Sequence, residues 1–158
     1  MNWLRIIVLS CAAIVGSYGV VFGQVQFDGS NDYADIGNDS TFNFTSSDFT
    51  FSFWVYYNSV SNNDVLISRG VFQSRGYCIQ VMDEVNDTFV RDGTEVRIYI
   101  DGVEESSYDA QESLANPGSS SDSLIFAQYT GGGLNPGCIM DDVRVYDRAL
   151  EDGEISAL

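Results

Sequence analysis

The amino-acid sequence predicts an all-β domain, a sandwich or a barrel, and three observations carry that expectation. The stretch Phe49-Thr50-Phe51-Ser52-Phe53-Trp54-Val55-Tyr56 alternates, setting Phe49, Phe51, Phe53 and Val55 on one face, which is the period of a half-buried strand. Many such short runs are separated by clusters of Gly, Asn, Asp and Ser, the punctuation of sandwiches and barrels. Only Leu150–Leu158 reads as helix, for a turn or two.

In chain order, the first 23 residues read as a leader. Arg5 is the only charge before Asp28, Ile6 to Phe22 is apolar or small, and Val21 and Gly23 place small residues three before and one before a cut, the layout of a secretory signal peptide. An uncleaved anchor is the alternative, because a run of about 17 residues lies at the short limit for spanning a bilayer. Ser10, Gly16, Ser17, Tyr18 and Gly19 dilute the run and favour cleavage after Gly23. The expected organisation is a signal peptide over 1–23 and one domain over 24–158. That implies a secreted or cell-surface location without membrane insertion after cleavage.

Strands are expected near Val25–Asp28, Tyr33–Ile36, Phe49–Tyr56, Val65–Ser68, Tyr77–Met82, Thr88–Arg91, Val96–Ile100, Leu124–Tyr129 and Ile139–Tyr146. Val96, Ile98 and Ile100 read as inward and Arg97 and Tyr99 as outward. Asp92-Gly93 before that strand and Asp101-Gly102 after it are tight-turn pairs, because both residue types tolerate positive φ. Asn116–Asp122 and Thr130–Gly137 read as loops.

Composition narrows the function. The chain holds 23 acids against seven basic residues, no histidine, and a formal charge of −16; every basic residue is arginine. Such a surface repels nucleic acid and anionic membranes and attracts cations. It equally suits solubility in salty surroundings. Without histidine the commonest general base and zinc ligand are missing. Cys78 and Cys138 remain after cleavage. In an oxidising compartment they either close a disulfide or stand as two buried thiols.

Four blocks resemble the laminin-G-like family of concanavalin A-type lectin and glucanase domains. They are Phe27-Asp28-Gly29-Ser30-Asn31-Asp32-Tyr33, the DFTFSFWVY of 48–56, the VRDGTEVRIYIDGV of 90–103, and the CIMDDVRVYDRALEDGEISAL that closes the chain. They span almost all of 24–158 in the family's order. The resemblance implies a two-sheet antiparallel jelly-roll sandwich. It also implies a central hairpin at 90–103. Between Tyr77 and Val90 the family carries about two more strands and a tryptophan-histidine-type segment, so shortened sheets are expected here.

The resemblance further implies a structural calcium where the opening strand meets the closing one. The matching donors are Asp28, the Gly29 carbonyl, and Asp141 or Asp142. Hard cations take six to eight oxygens. Alternation puts Asp141 and Asp142 on opposite faces, so an inward carboxylate needs a cation, Arg144 or a hydrogen-bond network to compensate it.

Two other chemistries suggest themselves. Tyr56, Tyr57, Tyr77, Tyr99, Trp54 and the Asn58/Asn62/Asn63 loop offer aromatic and planar polar groups for a sugar, although nothing selects a set among them and Trp54 reads as structural. Glycosidases flank the scissile bond with two carboxylates. The acid pairs here, Asp83-Glu84, Glu104-Glu105 and Asp141-Asp142, are adjacent and project to opposite faces. Sequons at Asn38, Asn43 and Asn86 matter only in a host that glycosylates. The expectation is therefore a non-catalytic module binding carbohydrate or glycoconjugate. A protein-binding adhesion unit and a glycoside hydrolase acting through Asp83 or Glu84 are the alternatives.

Overall fold

The computed structural model describes residues 4–9, 24–44, 47–61, 63–71, 75–82, 87–89, 96–108 and 121–158. Its strands are β1 (Leu4–Leu9), β2 (Val25–Asp28), β3 (Ala34–Gly37), β4 (Thr50–Ser59), β5 (Val65–Val71), β6 (Arg75–Met82), β7 (Asp87–Phe89), β8 (Val96–Ile100), β9 (Val103–Tyr108), β10 (Leu124–Phe126) and β11 (Gly137–Tyr146). One sheet has the order β2-β11-β4-β1-β8-β9 and the other β3-β10-β5-β6-β7. Every pairing among the described strands is antiparallel. The two-sheet antiparallel sandwich expected from the sequence is the fold observed.

Alternation along β4 builds the interior. Phe51, Phe53 and Val55 are fully buried, and Phe49 just before the strand nearly so. They meet Leu66 and Ile67 from β5 and Tyr77 and Ile79 from β6 in one cluster. Phe44 stacks on Phe49 at 4.5 Å between ring centroids, and Tyr77 lies 5.4 Å from Phe49 and 5.6 Å from Phe51. Each such ring removed from water contributes about 2–3 kcal/mol.

The opposite face of β4 is closed too, as alternation alone does not foresee. Thr50 and Ser52 are fully buried. The Thr50 hydroxyl donates to the Arg148 carbonyl at 2.8 Å and accepts the Leu150 N–H at 3.2 Å. The segment after β11 therefore folds over this sheet and ends in the expected helical turn, α1 (Asp152–Ile155). Its carboxylate Glu154 accepts the Glu151 N–H at 3.0 Å and grips Arg148 with both oxygens at 2.7 Å. Tyr99 on β8, read from the sequence as outward, is buried beneath Leu150 and Ile155 for the same reason.

Two tight backbone positions explain local choices. Asp101 (φ 50°) and Gly102 (φ 78°) form the two-residue turn joining β8 to β9, and both signs match the hairpin type whose twist suits flanking strands. Gly76 on β6 has φ 128°, and a Cβ there would overlap the Arg69 carbonyl of β5.

Arg69 is the one charged side chain among the largest fully buried groups, at 1% exposure. Its guanidinium donates to Asn43 Oδ1 at 3.1 Å through Nη2 and lies over the Phe42 ring at 5.8 Å. It thus ties the 3-10 turn Ser40–Phe42 to β5.

Three elements depart from the sequence reading. Residues 87–89 do form a strand, but β7 pairs with β6 in the five-stranded sheet, not with β8. The hairpin expected across Asp92-Gly93 is therefore absent as a β7–β8 pair, and residues 90–95 lie outside those described. Strand β9 was not foreseen, since the polar Glu104 to Ser107 carry no apolar alternation. Strand β1 was not foreseen because its residues read as leader. It occupies the place beside β8 where the hairpin partner was expected.

Candidate functional site

At one end of the sandwich, the 59–64 and 127–135 loops and the β5–β6 pair enclose a recess of about 430 Å³. Asn63, Val65, Cys78, Gln80, Tyr129 and Leu134 line it. Backbone bonds set its shape: Val65 N–H donates to the Leu134 carbonyl at 2.8 Å, Asn63 N–H to the Val81 carbonyl at 2.9 Å, and Tyr129 N–H to the Gly133 carbonyl at 3.1 Å. Asn63 (φ 73°) and Leu134 (φ 55°) both sit in the left-handed region, as does Ala127 (φ 60°) behind them. Non-glycine residues held there cost about 1–3 kcal/mol and gather at functional sites. Asn135 supports the loop from behind, donating its amide to the Ala127 carbonyl at 3.0 Å and the Asp32 carbonyl at 3.2 Å.

The polar groups of the recess are mutually oriented. Gln80 Nε2 donates to Asn63 Oδ1 at 2.9 Å, and the Cys78 thiol reaches Gln80 Oε1 at 3.7 Å. Burial pushes the Cys78 thiol up to about 11, so at neutral pH it is a protonated donor and not a nucleophile. Among the described residues this lining holds no carboxylate. It offers an aromatic ring, two paired amides and two apolar side chains, a set suited to hydrogen-bonding and stacking and not to acid–base chemistry.

A second recess of about 370 Å³ shares Leu134 and is more polar, with Gly29, Ser30, Ser59, Ser61, Asp64 and Asn135 among its walls. Asp64 is buried and accepts the Ser61 N–H at 2.7 Å. Burial, with the nearby Asp64 charge, pushes the Cys138 thiol up to about 12.

The residues singled out for calcium are not gathered into one site. Asp28 ends β2 opposite Gly137, while Asp141 lies four residues further along β11, about 13 Å away at strand rise. Asp28 is exposed, its Oδ1 accepting the Ser30 N–H at 2.8 Å. Asp142 (φ 49°) sits in a bulge that breaks the alternation assumed for the pair. Its carboxylate is neutralised by Arg144 at 2.8 Å, and Asp141 Oδ1 accepts the Asp142 N–H at 2.8 Å. Arg144 and a hydrogen bond thus supply the compensation for which a cation was one option. Among the described residues no group of three or more His, Cys, Asp or Glu side chains could hold a metal ion.

Cys78 and Cys138 sit on β6 and β11, in the two facing sheets, and both are free, buried thiols. Of the two alternatives open in the sequence, this is the unbridged one. Asp83, Glu84 and Asn86 lie outside the described residues. Among the aromatic candidates, Tyr77 and Tyr99 are core residues, and Tyr57 packs against the core. Asn63 of the asparagine loop lines the recess, and Asn62 lies outside the described residues. Tyr129, Gln80 and Leu134 were not picked out as ligand groups, because residues far apart in sequence converge there only through sheet pairing.

Comparisons with known proteins agree with this fold. Residues 85–156 match the family model of the concanavalin A-like lectin/glucanases superfamily, laminin-G type. No curated protein matches in sequence. Domain 4 of AbnA, an extracellular arabinanase of family GH43 from Geobacillus stearothermophilus, solved with arabinotriose, is similar in structure at 14% identity. The TM-score is 0.57, covering 88% of this chain and 86% of that one. The binding domain of Paraclostridial Mosquitocidal Protein 1 (17% identity, TM-score 0.55) and that of botulinum neurotoxin serotype G (18%, 0.52) cover 87% and 91% of this chain. This chain spans 45% of each of them. The strand order, the neighbours' shared fold and the family match converge: this is a two-sheet antiparallel β-sandwich whose segment 85–156 matches the concanavalin A-like lectin/glucanases superfamily.

Proposed function

We propose that the protein is an exported, non-catalytic recognition module that takes a carbohydrate or glycoconjugate in the recess beside Tyr129. One observation carries this reading: a tyrosine, two amides already hydrogen-bonded to each other, and a protonated thiol converge on one concavity. Sugars present hydroxyl edges and apolar ring faces, which amides and an aromatic ring complement. The likeness to an arabinanase domain solved with arabinotriose supports a saccharide over other ligands. Export rests on Arg5 and the apolar stretch behind it.

Calorimetric titration of arabinotriose, followed by an array of soluble polysaccharides, tests the reading. The expected result is saturable binding that Tyr129→Ala and Gln80→Ala each weaken about tenfold or more, about 1.4 kcal/mol, with unchanged melting. Absence of any glycan binding, or binding by both variants as tight as the parent's, would sink it.

A further inference from the structure

The six-stranded sheet contains a strand that is covalently peripheral but topologically central. β4 and β8 do not pair with each other; β1 lies between them. Leu4–Leu9 pairs antiparallel with Val55–Thr50 on one side, and Ile6–Leu9 with Ile100–Arg97 on the other. Take β1 away, and among the described strands the β8–β9 hairpin has no ladder to the rest of its sheet. The gap left is two strand spacings across, about 9.6 Å, the width that admits one extended chain.

The walls of that gap are fixed independently of β1. β4 is held by its long ladder to β11 and by Thr50 against Arg148 and Leu150. β8 is held by Tyr99, whose hydroxyl meets Asp152 Oδ1 at 3.0 Å, by Arg97 at 3.3 Å from the same carboxylate, and by the packing of Tyr99 on Leu150 and Ile155. Both walls therefore dock on the same C-terminal turn, which keeps them apart. Facing rows of backbone N–H and C=O groups held at that spacing are a template for a strand.

We propose that β4 and β8 frame a strand-accepting slot whose occupant is the chain's own segment Leu4–Leu9. The segment is held by backbone pairing strongly enough to stay after the covalent link behind it is cut. Its loss unseats the β8–β9 hairpin. This inference is independent of the glycan site, which lies on the β5–β6 end of the other sheet.

The test uses the full chain with a specific protease site placed between Leu9 and Gln24, cut after folding and passed through gel filtration. Co-elution of the N-terminal fragment, with slow exchange retained at the amides of 50–55 and 97–100, is expected. A synthetic peptide of residues 2–12 should replace the fragment under mild denaturant. Separation of the fragment, or dimerisation of the cut protein with another copy's strand in the slot, overturns the assignment. In the uncut chain, Ile7→Pro removes a ladder donor from a central strand and should lower the melting temperature or prevent folding. A parent-like melt for Ile7→Pro overturns the proposal as well.

Discussion

Thr50 and Leu150, a hundred residues apart, share a buried hydrogen bond of 3.2 Å, donated by the Leu150 N–H to the Thr50 hydroxyl. The same hydroxyl donates to the Arg148 carbonyl, so a single oxygen satisfies both polar groups of the segment that covers β4.

Replacing Thr50 by valine keeps the shape and strands a buried N–H and a buried carbonyl. Leaving such groups unsatisfied costs about 1–3 kcal/mol. Urea unfolding should show Thr50→Val destabilised by about 2 kcal/mol and Thr50→Ser close to the parent. A valine variant as stable as the parent would mean that the C-terminal segment does not depend on this contact.

Glu154 makes the same segment sensitive to acid. Its bidentate pairing with Arg148, helped by the Glu151 N–H, holds its carboxyl down from the ordinary 4.5 to about 2. The folded state therefore binds this proton less readily than the unfolded chain. The contribution is fully present above about pH 4.5 and is lost as pH falls through about 2. Melting curves of the parent and Glu154→Gln should be separated by a constant interval at pH 5–8 and converge between pH 4.5 and 2. A separation that persists at pH 2 would contradict the assigned ion pair.

Both core thiols are free and protonated near neutrality. Incubation of the folded chain with a thiol-specific reagent at pH 8 should leave Cys78 and Cys138 unlabelled for far longer than in denaturant, as peptide mass mapping would record. Reductant should not change the mobility of the domain. Recovery of a Cys78–Cys138 linked peptide from native protein would refute the unbridged arrangement.

Gly76 has no tolerance for a side chain. Its positive φ and the Arg69 carbonyl against it leave a methyl group nowhere to go without parting β5 from β6. Gly76→Ala should cost about 2–4 kcal/mol, read as a fall in the urea midpoint. The same change at Gly37, where a Cβ meets nothing within 4 Å, should cost less, from its positive φ alone.

The sandwich was legible because β4 announces itself: four large apolar residues at period two leave one side-chain direction for the core. The Asp101-Gly102 turn was legible for a similarly local reason. What stayed hidden was non-local. Nothing in Tyr99 marks it as buried until the C-terminal turn lies over it, and the polar strand β9 has no pattern of its own. The recess around Tyr129 joins residues from three separate stretches, and no spacing rule links Asn63 to Gln80. The register between β2 and β11 was equally hidden: it sets Asp28 against Gly137 and leaves Asp141 beyond the other end of β2.

Because β11 is the strand that β2 and β4 both lean on, neither early strand has its main partner until the ribosome has made residues 137–146. Folding of this sheet must then be late and dominated by distant pairings, which slows it by orders of magnitude relative to locally connected folds.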